Sequence, residues 1–342
     1  MITVTLGSTG ITTGKNAFGA LPIQRISQAD AVALVRRAYE GGMTFFDTAR
    51  AYTDSEEKLG AALEGIRDRV YIASKTHAKD VKTFWEHLET TLRNLRTDYL
   101  DLYQFHNPAV CPKPGDGSGL YEAMLEAKAQ GKIRHIGFTN HSIGVANECA
   151  DSGLYETLQF PFSYLTGEKE LALVEKCRRN NVGYIAMKAL AGGLITCSAA
   201  AWAFIAQYDN VLPIWGVQHE QELDEFLRYI SQPPALSEEL LAVIEKDRAE
   251  LTGEFCRSCG YCMPCPAGIE IRQCARMSLL LRRSPYQPYL AEAWQKEMAK
   301  IDNCIGCGSC KAKCPYGLDT PELLKRNYED YKKVLSGEVS VG

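Results

Sequence analysis

Short apolar runs alternate with amphipathic segments along the first two thirds of the chain, with a period of roughly 30 residues. This alternation is the rhythm of strand–helix units around a parallel sheet. The apolar runs predict eight strands, namely Asn16–Ala20, Thr44–Asp47, Val70–Lys75, Leu100–His106, His135–Thr139, Thr157–Phe160, Gly183–Met187 and Val211–Trp215.

Amphipathic helices are predicted between these strands. One begins at Ser27, which with Asp30 resembles a capping box, and its apolar positions recur at helical spacing: Ala31, Leu34, Val35 and Ala38. A second stripe, expected to face the core, comprises Phe84, Leu88, Leu92 and Leu95. Eight strand–helix units in about 230 residues predict a (β/α)8 TIM barrel of the α/β class.

A doubly wound sheet is the alternative fold, but no GxGxxG turn follows the first strand. The stretches Thr3–Leu6 and Ile11–Thr13 are expected to form a hairpin that closes the barrel floor.

Two cysteine runs near the C-terminal end carry the strongest chemical signal. Each places three cysteines at two-residue spacing and a fourth before proline: Cys256, Cys259, Cys262 and Cys265, then Cys304, Cys307, Cys310 and Cys314. Such spacing is typical of iron–sulfur ligation, and eight thiolates match two [4Fe–4S] clusters. Structural zinc is the alternative, but a zinc site is usually built from pairs of Cys-x2-Cys knuckles and does not need a third cysteine at the same spacing.

The other five cysteines are scattered, and we expect them to be small buried apolar residues. They are Cys111, Cys149, Cys177, Cys197 and Cys274.

A boundary is predicted where Gln232 precedes two prolines. We expect a barrel over residues 1–232, a connecting segment over 233–255 with a helix from Ser237 to Leu251, and a cluster domain over 256–342. Because Ile269–Leu281 and Tyr289–Ile301 have helical character, this last domain is predicted to be a small, mainly α-helical, ferredoxin-like iron–sulfur domain.

Composition narrows the function classes. The 342 residues have room for one large and one small domain, and a net charge of −4 gives no support to nucleic-acid binding. No apolar run approaches the 18 or so residues of a membrane span, and no secretory signal is visible. Cysteines gathered in metal-type motifs, rather than a disulfide framework, favour a reducing compartment, so we expect a cytoplasmic protein.

Reactive residues of a TIM barrel lie at the carboxyl ends of its strands and in the following loops. Three predicted strand ends carry ionisable groups, Asp47, Lys75 and His106, and Tyr52 lies in the loop after Asp47. Each alone has an ordinary structural explanation, as a helix cap, a packing residue or a hydrogen-bond donor. Four on one face of a barrel indicate a catalytic site.

The segments that contain these residues resemble a known family. FDTA-x-x-Y-x-x-SE-x-x-LG over residues 46–60 and GKIR-x-IGFTN over residues 131–140 resemble the two signatures of the aldo-keto reductases. The resemblance runs from about residue 2 to 232, and the cysteine runs resemble the subgroup with a fused ferredoxin-type domain.

The resemblance implies a catalytic tetrad of Asp47, Tyr52, Lys75 and His106. Tyr52 would donate a proton to a substrate carbonyl as hydride arrives from a nicotinamide. The charge of Lys75, held by Asp47, would favour the phenolate form of the tyrosine, and His106 would orient the carbonyl.

The resemblance also implies contacts to NADH or NADPH. These fall on Asp47, Thr139, Asn140, Gln159, Lys188, Gly216, Gln218 and Glu222. Glu222 stands where NADPH-preferring members tend to place an arginine, which favours NADH or weakened NADPH selectivity. A solvated helix residue is the equally weighted alternative for Glu222.

Three functions remain open. The barrel is an NAD(P)H-dependent reductase of a small carbonyl, or oxidises the alcohol, with structural or redox-sensing clusters. Alternatively, the clusters exchange electrons with an external carrier such as ferredoxin, or the barrel is a sensing module with little turnover, which an intact tetrad argues against. Hydride carries two electrons and a cluster passes one, so direct coupling needs a mediator such as flavin; a barrel mouth has room for one, but no flavin motif is present.

Cluster ligation follows from the spacing if each fourth cysteine serves the other cluster. We therefore pair Cys256, Cys259 and Cys262 with Cys314, and Cys304, Cys307 and Cys310 with Cys265.

Overall fold

The computed structural model describes residues 2–251, 255–284 and 286–341. The chain divides into two compact units. The first comprises Met1–Ala189 and Ala199–Leu240, and the second comprises Leu190–Ser198 and Leu241–Gly342.

The first unit is a closed barrel of eight parallel strands, which confirms the predicted fold class. A two-stranded antiparallel hairpin, β1 and β2, precedes it. The strands are β1 (Thr3–Thr5), β2 (Thr12–Gly14), β3 (Ala17–Gly19), β4 (Phe45–Asp47), β5 (Tyr71–Thr76), β6 (Leu100–His106), β7 (Ile133–Thr139), β8 (Thr157–Pro161), β9 (Gly183–Met187) and β10 (Val211–Gly216). The barrel closes where β10 pairs with β3.

A helix follows each of the eight barrel strands. Those of the first unit and its junctions are α1 (Gln28–Glu40), α2 (Ser55–Leu63), α3 (Val81–Asn94), α4 (Leu120–Ala129), α5 (Ile143–Asp151), α6 (Glu168–Arg179), α7 (Ser198–Ala206), α8 (Glu220–Ser231) and α9 (Glu238–Glu250). Ser27 caps α1 by accepting a hydrogen bond from the Asp30 backbone N–H, as the sequence predicts. The predicted connecting helix corresponds to α9, whereas residues 252–254 of that predicted segment lie outside the described residues.

The hairpin packs under the barrel. Val4, Leu6 and Ile11 share one buried apolar cluster with strand residues such as Phe45 and Leu102. The approach is close, because a Cβ on Gly7 would lie 2.3 Å from the backbone nitrogen of Gly183. Gly7 also has a positive φ of 51°, so a larger residue there would be strained as well as crowded.

The second unit is built from short helices. They are α10 (Ile271–Cys274), α11 (Met277–Arg283), α12 (Glu292–Ala299), α13 (Ser309–Ala312) and α14 (Thr320–Leu335). Leu190–Ser198 belongs to this unit although it follows β9 in sequence, because Arg276 donates to the Gly192 carbonyl and Arg283 to the Leu194 carbonyl. Among all the helices described, none has both the length and the apolar character that crossing a membrane requires.

Candidate active site

Strand register brings the predicted site residues to one end of the barrel. Asp47 and His106 are the last residues of β4 and β6, and Lys75 is the penultimate residue of β5. His106 pairs with Thr139 of β7, which pairs in turn with Gln159 of β8. The carboxyl ends of neighbouring parallel strands therefore place these side chains side by side.

Asp47 and Lys75 form a buried ion pair. Lys75 Nζ donates to Asp47 Oδ1 at 2.6 Å and to the Thr48 carbonyl at 2.7 Å, and both side chains are almost fully enclosed. Burial raises the pKa of Asp47 and lowers the pKa of Lys75, while their mutual attraction opposes both changes. The pair therefore fixes the ammonium group in place.

Tyr52 lies in the loop between β4 and α2. The Lys75 Nζ atom is 5.2 Å from the centroid of the Tyr52 ring. The tyrosine ring also meets the His106 ring edge-on, with centroids 5.8 Å apart. Burial, and then the charge of Asp47, raise the pKa of Tyr52 above its usual value. The direction is opposite to the shift expected from Lys75 in the sequence analysis, because burial, the largest cause, and the neighbouring Asp47 both favour the neutral phenol.

His106 is held neutral in this arrangement. Burial, followed by the charge of Lys75, lowers the pKa of His106 well below its ordinary value. Its Nδ1 atom is buried and has no hydrogen-bond partner in the described part of the chain. A proton on Nδ1 would be an unsatisfied buried donor, so the geometry favours the tautomer with the proton on Nε2.

Two side-chain amides lie in the barrel interior next to the ion pair. Gln104 Nε2 donates to Gln159 Oε1 at 3.0 Å, and both amides act to lower the pKa of Asp47. Gln104 was not identified from the sequence. The available signal was the period-two pattern of β6, in which Leu100, Leu102, Gln104 and His106 share one face and a polar residue interrupts the apolar series.

Asn140 follows β7 and is engaged by the neighbouring backbone. Its Oδ1 accepts from the N–H groups of His141 and Ser142, and its Nδ2 donates to the Pro108 carbonyl at 2.9 Å. These bonds connect the loop after β7 to the loop after β6. His141 is buried, and burial, with the charge of Lys188, lowers its pKa to about 3.

The remaining predicted nucleotide contacts lie after β9 and β10. Lys188 directly follows β9 in a left-handed conformation, with φ of 57°, and Gly216 ends β10. Glu222 Oε2 accepts from the backbone N–H groups of Gln218 and His219, at 2.7 and 3.0 Å, and completes a capping box at the start of α8. This capping explains the position of the Glu222 side chain without a bound nucleotide. The effect of Glu222 on the choice between NADH and NADPH stays a prediction.

Glu56 is a fully buried carboxylate near Lys75, and no sequence pattern predicted a role for it. It pairs with Arg50, and its Oε1 accepts from Ser74 Oγ and Thr91 Oγ1, both at 2.8 Å. The signal available in the sequence was its place inside the motif that also contains Tyr52.

Within the second unit, cysteines of both runs line one cavity. Its lining includes Cys262 and Cys265 from the first run and Cys304, Cys307 and Cys310 from the second, with apolar walls from Ile271 and Leu324 among others. Burial and the nearby Cys256 and Cys259 raise the pKa of Cys262 to about 12. Crowded thiols of this kind fit a cationic iron centre, because binding one removes the mutual repulsion of their thiolates.

The partners of the fourth cysteines differ between the runs. Burial raises the pKa of Cys310, and Cys304 and Cys265 add to this rise, whereas burial, Cys259 and Cys314 raise the pKa of the partly exposed Tyr316. The second run therefore lies near Cys265 and, since Cys310 also acts on Cys262, near Cys262 as well, while Cys259 and Cys314 both lie near Tyr316. No described set of three or more Cys, His, Asp or Glu side chains surrounds a point where one metal ion could bind.

The five scattered cysteines lie away from these runs in sequence. Cys111, Cys149, Cys177 and Cys274 are buried and Cys197 is partly exposed, and all are free thiols.

Both parts of the chain match known protein families. Residues 10–199 match the family described as "Aldo/keto reductase family", and residues 255–319 match a "4Fe-4S dicluster domain". The chain is 32% identical over 180 residues to aldo-keto reductase YhdN of Bacillus subtilis, which covers 48% of this chain and 53% of that protein. It is 38% identical over 117 residues to methylglyoxal reductase YeaE of Escherichia coli, covering 32% and 38%. The matches thus span about half or less of these two relatives.

A solved structure has a similar fold. An aldo-keto reductase from Klebsiella pneumoniae, in complex with NADPH, superposes with a TM-score of 0.61 at 25% identity, covering 72% of this chain and 94% of that one. Because the family match at residues 10–199 spans more than half of the 342 residues, the protein belongs to the aldo/keto reductase family.

Proposed function

We propose that the barrel catalyses reduction of a small carbonyl compound by NADH or NADPH, or the reverse oxidation of the alcohol. The observation that carries this proposal is the convergence of Asp47, Tyr52, Lys75 and His106 at the carboxyl ends of the barrel strands. The similarity to methylglyoxal reductase YeaE suggests small aldehydes and ketones as first substrates to test.

The raised pKa of Tyr52 suits a proton donor. The phenol remains protonated at neutral pH and transfers its proton only when hydride addition turns the carbonyl oxygen into a strongly basic alkoxide. The ammonium of Lys75, 5.2 Å from the ring centroid, then stabilises the tyrosinate that is left. His106, neutral and protonated on Nε2, donates a second hydrogen bond to the same oxygen.

A bound nicotinamide supplies the hydride. Thr139, Asn140 and Gln159 would hold its carboxamide, and the Gln159 oxygen already accepts a hydrogen bond from Gln104. Lys188, Gly216 and Gln218 would contact the rest of the nucleotide.

We further propose that the second unit binds two [4Fe–4S] clusters. Cys304, Cys307, Cys310 and Cys265 would ligate one, and Cys256, Cys259, Cys262 and Cys314 the other. The cavity that Cys265 shares with Cys304, Cys307 and Cys310, and also with Cys262, supports the first assignment, and the common influence of Cys259 and Cys314 on Tyr316 supports the second. A cluster supplies one-electron transfer.

A second candidate function is electron exchange with an external carrier such as ferredoxin. Cys304 and Cys307 are exposed, and Ile305 between them is 69% exposed, so a cluster at this position would lie near the surface. Short distance to the surface favours transfer to a docked partner.

Anaerobic purification followed by iron, sulfide and visible-spectrum analysis tests the cofactors, and NADH or NADPH oxidation against a carbonyl panel that includes methylglyoxal tests the reaction. We expect about eight irons per chain, no flavin bands, and carbonyl-dependent oxidation. Cofactor oxidation that requires an added one-electron acceptor and no carbonyl would favour the second candidate. Absence of turnover in both assays would reject enzymatic function.

A further inference from the structure

The loop that carries Tyr52 is closed by an ion pair whose carboxylate is buried. Arg50 and Glu56 flank this loop, and the guanidinium of Arg50 bonds the carboxylate of Glu56. Arg50 also reaches the Thr53 carbonyl at 3.5 Å, and Thr53 has a positive φ of 33°. A β-branched residue in this conformation needs support from its surroundings.

The acidic end of the pair is anchored to two neighbouring elements. Ser74 of β5 and Thr91 of α3 both donate to Glu56 Oε1. Ser74 is the residue before Lys75, so the same carboxylate connects the tyrosine loop to the strand that carries the lysine. The main chain of Arg50 is anchored as well, because its backbone N–H donates to the Lys75 carbonyl at 3.1 Å.

A close helix contact makes this anchoring possible. A Cβ on Gly60 of α2 would lie 2.3 Å from the Asn94 carbonyl at the end of α3. Glycine at this position lets α2 approach α3 closely enough for Glu56 to reach Thr91.

We infer that Arg50 and Glu56 form a positioning clamp that holds the Tyr52 ring beside Lys75. The inference rests on the proposed carbonyl reduction and assigns the pair no contact with substrate. A displacement of about 1 Å in a reacting group can cost about 100-fold in rate, so a loop between fixed strands needs such a device.

Glu56 also acts on the site electrostatically. The charged and titratable groups around Lys75 are Asp47, Glu56, Tyr52 and His106, and the carboxylate of Glu56 acts to raise the pKa of Lys75. Neutralising Glu56 therefore lets the pKa of Lys75 fall further.

The test compares Glu56→Gln with Glu57→Gln, a matched change at the exposed neighbouring residue. Amide hydrogen exchange of residues 49–56 is measured together with kcat, the KM for NADPH and the pH profile of kcat. We expect faster exchange of the loop in Glu56→Gln only. We also expect kcat to fall by about 10- to 100-fold, with the KM for NADPH changed less than about twofold. The basic limb of the pH profile of kcat should move to lower pH.

Two further variants separate the clamp from the cost of an unpaired charge. The double variant Arg50→Met, Glu56→Gln has neither charge, and we expect it to keep the fast exchange and low kcat. Arg50→Lys retains the cation but loses the planar guanidinium fork. We expect its loop exchange and kcat to lie between those of the wild type and those of the double variant. It replaces Glu56→Gln in the test if Glu56→Gln fails to fold.

The proposal would be overturned if the double variant had the same loop exchange and kcat as the wild type. It would also be overturned if Glu56→Gln had a low kcat but unchanged loop exchange. If the wild-type protein reduces no carbonyl, the proposed reaction fails, whereas loop exchange still decides whether the clamp exists.

Discussion

Replacing Lys75 by methionine perturbs both the ion pair and the proposed proton donor. The ammonium lies 5.2 Å from the Tyr52 ring centroid. With an effective dielectric constant of about 20, a unit charge at that distance stabilises the tyrosinate by about 3 kcal/mol. That energy corresponds to about 200-fold in rate, if it is expressed fully in the transition state.

Stability should fall too, because the Asp47 carboxylate loses its partner. Asp47 Oδ1 accepts from Lys75 at 2.6 Å, and Oδ2 is buried without a partner within hydrogen-bond geometry, although the Gln104 and Gln159 amides lie nearby. Removing one member of a buried ion pair costs about 3–5 kcal/mol. Asp47→Asn combined with Lys75→Met removes the stranded charge and should recover most of the free energy of unfolding without restoring kcat.

The assay is NADPH oxidation with the best carbonyl substrate found for the wild type, with urea unfolding and NADPH fluorescence titration in parallel. We expect kcat reduced by about two orders of magnitude, with nucleotide affinity nearly unchanged. A Lys75→Met variant that keeps more than a third of the wild-type kcat would refute the electrostatic role of Lys75.

Three further outcomes are expected. His141 has a folded-state pKa lowered to about 3, so its contribution to stability is complete above the unfolded pKa of about 6.5 and is lost as pH falls. Between pH 7 and 5 the wild type should therefore lose about 2 kcal/mol more unfolding free energy than His141→Gln, and equal losses in denaturant titrations would contradict this. Gly60→Ala places a Cβ 2.3 Å from a backbone oxygen and should destabilise by about 1–3 kcal/mol and lower kcat, whereas Gly144→Ala, whose nearest neighbour is 3.9 Å away, should be neutral or stabilising by thermal unfolding. Finally, Cys265→Ser and Cys314→Ser should each perturb a different cluster, leaving about four irons per chain; identical electron paramagnetic resonance spectra for the two would argue against the ligand exchange.

The barrel strands could be predicted closely because each is a short apolar run between polar segments. Leu100–His106 and Gly183–Met187 are the strands as predicted, and Asn16–Ala20 is shortened to Ala17–Gly19. Strand ends are set by ladder hydrogen bonds with neighbours distant in sequence, so local pattern fixes them less well.

Some residues of the candidate site could likewise be predicted from local pattern, and others could not. Asp47, Tyr52, Lys75 and His106 could be proposed because each lies at or just after a strand end, and Asp47 and Tyr52 also belong to a short motif. Gln104 and Glu56 were missed because their importance depends on partners far along the chain: Gln104 bonds Gln159, and Glu56 bonds Ser74 and Thr91.

By itself, the sequence determined the barrel, through the periodicity of its apolar runs, and the two cysteine runs, through their spacing, while the tetrad stays a prediction from the family resemblance. Only the tertiary structure decided the direction of the Tyr52 pKa shift, which depends on burial and on Asp47 beside Lys75. It also decided that Leu190–Ser198 belongs to the second unit, through Arg276 and Arg283. Burial, dielectric environment and long-range hydrogen bonds arise only when distant segments meet, so no local pattern encodes them.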